Sequence, residues 1–358
     1  MAAASIAHAH DPARVTVGVD THKDTHVGHA KDELGRDLGH LEVPTTARGY
    51  AALLAWARSH GEVVAFGVEG TSSYGIGLSR YLQGEGHLVL EVIRPGRQDR
   101  RLRGKSDPLD AEAAAAAVLS GKARNLPRAS AERVEMIRSL RIARASATKA
   151  RTQAMNAIKA LIVMAPEAVR DTLRNLPNAH LTSTCARLRP GHVVDPTAAT
   201  KTALRSLALR CQALEAEARE LEIQLDQLTS DSAPVLRSRF GVGSDSAAAL
   251  LIAAGDNPAR LRSDSSFSML CGSSPLPASS GQTKRHRLNR GGDRQANAAL
   301  HRIVMTRLRW HEPTKAYMAR RLAEGKSKPE VIRCLKRYVA REIYAVLALA
   351  RRGVQEDL

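Results

Sequence analysis

The chain has 358 residues, room for two or three domains each with its own core. Its 54 Lys and Arg against 36 Asp and Glu leave a formal net charge of +18, which argues for polyanionic partners, nucleic acid or an anionic membrane surface. No run approaches the length and apolarity of a membrane span, so nucleic acid is the better partner, and aromatics at 3% argue against base stacking as the main binding mode.

The first fourteen residues, MAAASIAHAHDPAR, lack the basic and apolar regions of a secretory leader and read as a flexible tail, 1–14. Residues 15–128 alternate strand-like and helix-like segments. "VTVGVD" is a β-branched strand, and "THVGHAKDELGRDLGHLEV" reads as two more strands joined by a glycine-containing turn. "TARGYAALLAWARSHG" has helical apolar spacing; "EVVAFGVEG" is a buried strand, "YGIGLSRYLQGEG" a helix and "HLVLEVI" a strand. "SDPLDAEAAAAAVLSG" is a helix with Asp107 expected at the N-cap, Pro108 at the first helical position and Gly121 beyond the end. Three strands, helix, strand, helix, strand, helix make an α/β layered domain.

Residues 129–230 read as long helices. From Leu204 through Leu207, Cys211, Leu214, Ala218, Leu221 and Leu225 to Leu228 the apolar steps alternate three and four, a heptad seam and a coiled-coil expectation. The upstream stretch "AERVEMIRSLRIARASATKARTQAMNAIKALI" is helical and basic, and the proline-containing segment 176–197 reads as the connection. The two helices are expected either to form an antiparallel hairpin or to pair with another chain. Residues 231–358 open with "RFGVGSDSAAALLIAAGD", where Gly241 and Gly243 form a turn whose amides are able to meet a phosphate. Between 282 and 350 there are seventeen Lys and Arg against five Asp and Glu, a bias that points to phosphate-backbone binding. The four cysteines, Cys185, Cys211, Cys271 and Cys334, lack metal-ligand spacing and read as reduced thiols of a cytoplasmic protein.

Four acids in the α/β domain stand where sites form. Asp20 ends the first strand and Glu69 the fourth; Asp107 and Asp110, three apart, share the first turn of a helix. Singly, each has a structural explanation as a cap or turn residue. Converged, they would repel one another unless cations lie between them, and oxygen-only ligands select Mg²⁺ or Mn²⁺. Two such ions are the usual apparatus of phosphoryl transfer. His22 and His26 are four apart, but a strand end and turn do not place that spacing on one face, so a histidine pair is not expected to hold metal.

"GVDTHKDTH", "VEGTSSYG" and "KSDPLDA", with "FGVGSDSAAALLIAAGD", "CGSSPLPASSG" and "LNRGGDRQANAALH", together resemble the DEDD transposases of bacterial insertion sequences, the bridge-RNA-guided serine recombinases. The resemblance spans nearly the whole chain. It implies an N-terminal ribonuclease H-like domain of the RuvC type, a central long-helix coiled-coil region and a mainly helical C-terminal transposase domain. It implies that Asp20, Glu69, Asp107 and Asp110 are catalytic and hold Mg²⁺ or Mn²⁺. A serine in the C-terminal domain then attacks DNA; the motif G-x-x-P-x-x-x-x-S-G runs from Gly272 to Gly281 and marks Ser280, with Ser279 as the fallback. Lys105, Gly241, Gly243, Lys284, Arg285, Arg287 and Arg290 are expected to bind nucleic acid. The resemblance further implies donor and target DNA, a noncoding bridge RNA and a homo-oligomer, dimer or tetramer, in which Ser280 of one protomer meets the acids of another.

Two other readings stay open. A structure-selective nuclease or junction resolvase would use the same four acids with water in place of the serine, and a non-catalytic relative would only bind nucleic acid. An actin-like sugar kinase shares the strand order but suits neither the charge nor the lack of a phosphate loop.

Overall fold

The structure is a computed structural model that describes residues 13–92, 106–127, 132–255, 261, 263–277 and 286–356. Nearly all of the expected tail, and Lys105, Ser279, Ser280, Lys284 and Arg285, lie outside the described residues. The chain divides into two compact units, residues 1–129 and 130–358.

The first unit runs β1 (Arg14–Thr21), β2 (Thr25–Asp32), β3 (Asp37–Pro44), α1 (Ala47–Ser59), β4 (Glu62–Glu69), α2 (Ile76–Gly84), β5 (Val89–Val92) and α3 (Asp107–Leu119). The sheet order is β3-β2-β1-β4-β5, with an antiparallel β1–β2–β3 meander and β4 and β5 parallel to β1. Alternation along the strands splits the sheet into two faces. Val15, Val17, Val19, Phe66 and Val68 bury one face against Leu53, Leu54 and Ala57 of α1 and Leu78 and Leu82 of α2.

The other face takes α3, and its glycines explain how closely. A Cβ on Gly18 would lie 2.1 Å from the Ala111 carbonyl oxygen, and one on Gly67 would lie 2.5 Å from Val118 Cγ2. Glycine in a strand marks where another backbone comes close. Here the alanine run of α3 supplies that backbone, with Ala111, Ala114 and Ala115 buried. The helix starts one residue earlier than expected: Ser106, in extended backbone, is the N-cap, and Asp107 is already helical. Its carboxylate is therefore not occupied in capping. Gly121, at φ +65°, closes the helix as expected.

The second unit is helical. It runs α4 (Glu132–Met164), α5 (Glu167–Leu173), α6 (Asn178–Ala186), α7 (Pro196–Ser232), α8 (Pro234–Arg237), α9 (Ser244–Ala254), α10 (Asp264–Leu270), β6 (Leu276–Pro277), β7 (His286–Arg287), α11 (Arg294–Trp310), α12 (Glu312–Ala323) and α13 (Lys328–Glu356). Helices α4 and α7 form an antiparallel hairpin. Arg144 pairs with Glu222, Arg151 with Glu215 at 3.6 Å, and Cys211 Sγ donates to the Arg151 carbonyl, so rising numbers on one helix meet falling numbers on the other.

The heptad seam thus meets α4 of the same chain. Leu204 and Cys211 bury with Ile158 and Ile162, and Leu225 with Ile137. The segment 176–197, read as a connection, holds α6: Pro177 opens it, and Leu181 and Cys185 are buried in the same core. The proline that marked a break is a helix start.

Ala248 of α9 joins Ile137 and Leu225, so the hairpin and the C-terminal helices share a core. A larger core gathers Leu250, Phe267, Ile303, Val339 and Ile343 from α9, α10, α11 and α13. Among the described residues no helix is long and apolar enough to cross a membrane. All four cysteines are free; burial pushes the Cys271 thiol up to about 12, with Asp293 adding to it, so that thiol is inert at neutral pH.

Candidate metal centre and basic cleft

The strand register sets the first pair of acids. Val19 of β1 pairs with Val68 of the parallel β4, so the next residues, Asp20 and Glu69, leave the sheet side by side on the α3 face. Both are 2% exposed. The Thr21 hydroxyl donates to the Glu69 carbonyl at 3.0 Å and locks the two strand ends together. The close seat of α3 then brings its first turn, with Asp107 and Asp110, to the same end of the sheet.

The electrostatics record this convergence. Burial raises the Asp20 carboxyl above its ordinary range; His22 opposes the shift, while Asp110 and Asp107 add to it and a hydrogen bond from the Thr21 amide counters it. Three of the four expected acids therefore share one field, and the fourth is fixed beside Asp20 by the sheet. A buried carboxylate among like charges calls for a cation.

One ligand atom each from Asp20, His22 and Asp107 lies within 4.8 Å of the others. A six-coordinate ion with bonds of about 2.1 Å spans about 4.2 Å between opposite ligands, so this set closes on an ion with small side-chain movement. The residues fit a divalent metal.

His22 was not anticipated. Its Nδ1 stands 3.6 Å from Asp20 Oδ2 and its Nε2 4.0 Å from Asp107 Oδ1. His26 goes elsewhere: fully buried, it stacks on Tyr50 with ring centroids 5.7 Å apart. The two histidines share no site, as their setting implied. The usable signal was Asp-x-His at a strand end, where His22 follows the last residue of β1 directly.

In the second unit, two glycine motifs, one at Gly272 and one at Gly291 and Gly292, are stitched together. Gly272 (φ +61°) and Gly292 (φ +84°) are left-handed, and a Cβ on either would lie 2.5 Å from a carbonyl oxygen of the other segment or its neighbour. The Asn297 amide donates to the carbonyls of Cys271 (2.7 Å) and Gly272 (3.1 Å), and Asp293 caps α11. Leu276 pairs with Arg287 and Pro277 with His286, so residues 277 and 286 lie side by side.

Arg287 lines a cleft of about 690 Å³ whose described lining also includes Ser273, Ser274 and Pro275 and six further cations, Arg321, Lys326, Arg333, Lys336, Arg337 and Arg341. Glu330 is the one acid among the described residues of the lining. Lys336, 7% exposed, donates to Asn297 Oδ1 at 2.7 Å, which ties α13 to the stitched turn. Arg337 and Arg341 pair with Asp264 at 2.9 and 3.2 Å. Of the expected nucleic-acid residues, Arg287 lines the cleft and Arg290 is exposed beside it. The α13 cations were counted in the sequence only as part of a charge bias. Their spacing (333, 337, 341) already placed them on one helix face.

Gly241 and Gly243 stand elsewhere in this unit. Gly241 takes φ +81°, and Arg307 holds the turn by donating to the Phe240 carbonyl at 2.9 Å. Gly243 is the exposed N-cap of α9, whose first-turn Asp245 is met by Arg141 (3.0 Å), Arg144 (3.7 Å) and Arg302 (2.5 Å).

A sheet with a 3-2-1-4-5 order and carboxylates gathered at its strand ends is the arrangement expected of the DEDD transposase class. The comparisons agree: the IS110-type DEDD transposase pattern matches residues 17–165, and the pattern of the transposase IS116/IS110/IS902 family matches residues 233–319. The chain belongs to this transposase family. No curated protein matches it. Membership implies a ribonuclease H-like N-terminal fold, DNA cutting in transposition and use of divalent metal. Helix α13 lies beyond the matched residues.

Proposed function

We propose that this chain is an insertion-sequence transposase that cuts and rejoins DNA through a covalent 5′-phosphoserine intermediate, with Ser280 as nucleophile. What supports this reading is the cleft itself: seven of its described lining residues are cations, one of them Arg287, whose strand pairs with Leu276–Pro277 of the serine motif. A serine hydroxyl is a weak nucleophile that needs its proton removed and the charge of its target phosphate neutralised. The cleft supplies the second requirement.

In the proposed step Ser280 Oγ forms a bond to phosphorus, the bond from phosphorus to the 3′ oxygen breaks, and that oxygen takes a proton and leaves as a hydroxyl. Oγ gives up its own proton to a base. Rejoining reverses this: a 3′ hydroxyl of another strand attacks the phosphoserine, and Ser280 leaves with a proton. The ester keeps the bond energy that a water-using nuclease would lose. Asp20, Glu69, Asp107 and Asp110 are the residues that would hold Mg²⁺ or Mn²⁺. When bound, the metal supplies charge neutralisation and lowers the pKa of oxygens at the reacting phosphate. Arg287 and Arg290, with Lys284 and Arg285, bind the phosphate; Lys105 and the Gly241–Gly243 turn hold the backbone of DNA or RNA.

On this reading residues 15–128 act as the RuvC-like domain, 129–230 as the helical assembly region and 231–358 as the serine domain. The enzyme works in the cytoplasm as a homo-oligomer on donor and target DNA. A noncoding bridge RNA chooses the sites by base pairing, which suits a protein whose excess charge serves backbone contacts.

The test is a denaturing gel of protein, element-flank RNA, Mg²⁺ and both DNAs. A protein–DNA adduct is expected in the wild type and absent in Ser280→Ala and Asp20→Ala. Cleavage without adduct that survives Ser280→Ala would replace this reading with the water-using nuclease. Salt-sensitive binding without cleavage in any form would replace it with the non-catalytic relative.

A further inference from the structure

His22 occupies an unusual place for a residue with a purely structural role. It sits in the tight connection between β1 and β2, where its amide donates to the Thr25 carbonyl at 3.0 Å and fixes the backbone. Its ring lies between two carboxylates from different elements, Asp20 of β1 and Asp107 of α3. The ring nitrogens stand 3.6 and 4.0 Å from those oxygens, beyond hydrogen-bonding distance from both. An imidazole recruited to orient one aspartate would be expected at about 2.8 Å. Instead, the three groups surround a gap of ion size, with their ligand atoms within 4.8 Å of one another.

We infer that His22 is a nitrogen ligand of the divalent metal centre, beside the carboxylates of Asp20 and Asp107. This rests on the reading of the acidic centre as a metal site. The chemical consequence is selectivity. Carboxylate oxygens alone suit Mg²⁺, whereas an imidazole raises affinity for transition metals, so His22 tilts the centre toward Mn²⁺. Its side chain is 42% exposed, leaving room for the ring to turn one nitrogen onto the ion without repacking the core.

The experiment uses the full-length protein, Mn²⁺ alone as the probe, and pulsed electron paramagnetic resonance with protein carrying ¹⁴N or ¹⁵N histidine. Wild type is expected to show nitrogen coupling to bound Mn²⁺ that changes with the isotope and disappears in His22→Ala. In parallel titrations His22→Ala should lose Mn²⁺ affinity by about tenfold or more, the scale on which supporting residues of metal sites act, with a smaller change for Mg²⁺. Circular dichroism confirms that the variant is folded, and Asp107→Asn serves as a second variant that should weaken both metals while leaving His22 in place. Bound Mn²⁺ without histidine coupling, or coupling that persists in folded His22→Ala, overturns the assignment and leaves the acidic metal centre standing. Failure of the wild type to bind Mn²⁺ or Mg²⁺ overturns both.

Discussion

The acidic centre and the basic cleft are built on opposite principles. The acids Asp20 and Glu69 are buried at strand ends, placed by backbone register and by a helix seated on glycines. The cleft is lined by long cationic side chains from β7, α12, the turn after it and α13, most of them in contact with water. Burying like charges costs several kcal/mol per ion unless a counter-ion is present, whereas exposed guanidinium and ammonium groups cost little and bind their partners in a salt-dependent way. The first region should therefore respond to substitution in an all-or-none manner, and the second by degrees.

The sharpest break is expected at Asp20. Asp20→Asn should lower DNA cleavage by on the order of a thousandfold or more, as for loss of one member of a concerted site, with nucleic-acid affinity retained. A cleavage assay beside a binding assay separates the two effects. Next comes Gly18→Val, which alters no charged group. Its side chain would strike the backbone of α3 and displace Asp107 and Asp110. Overpacking of about 1–3 kcal/mol should appear in the melting temperature. Metal affinity should fall with it, measured by titration in the folded variant.

The cleft should yield gradually. Lys326→Ala and Arg333→Ala are each expected to weaken DNA binding severalfold and to reduce the slope of log affinity against log salt by about 0.9 per lost phosphate contact. An unchanged slope would remove those residues from the interface.

The smallest effect on nucleic-acid chemistry is expected at Glu342, a stability contact where Arg307 donates twice, at 2.7 and 3.0 Å, and holds the carboxyl below its usual range. A depressed carboxylate contributes stability that is present above its unfolded pKa and lost as pH falls through its folded one. Glu342→Gln should therefore cost about 2 kcal/mol at neutral pH, with the difference from wild type shrinking as the solution is acidified below the usual glutamate range. Thermal melts across that range check it.

Much of the first region was legible. The eight elements among the described residues and their order follow from alternation, helical spacing and turn residues, and the acids stand out because strand ends and helix starts are readable positions. The N-cap shifted from Asp107 to Ser106 because either residue is able to cap, and only the backbone angles decide. His22 was missed because a spacing of four was weighed and a spacing of two was not.

The second region was less legible because tertiary packing sets it. A heptad seam has the same period whether it faces its own chain or another, and Pro177 reads as a break until Leu181 and Cys185 find a core to fill. The α13 cations belong to the cleft only because Lys336 and Asn297 tie that helix to the glycine turn, a contact across 39 residues that local spacing does not reveal.

The most direct test of the serine chemistry is mass spectrometry of the trapped reaction after nuclease and protease digestion. A nucleotide phosphate attached to Ser280 is expected in the peptide that spans the motif from Gly272 to Gly281. Cleaved DNA with that peptide unmodified throughout would contradict it.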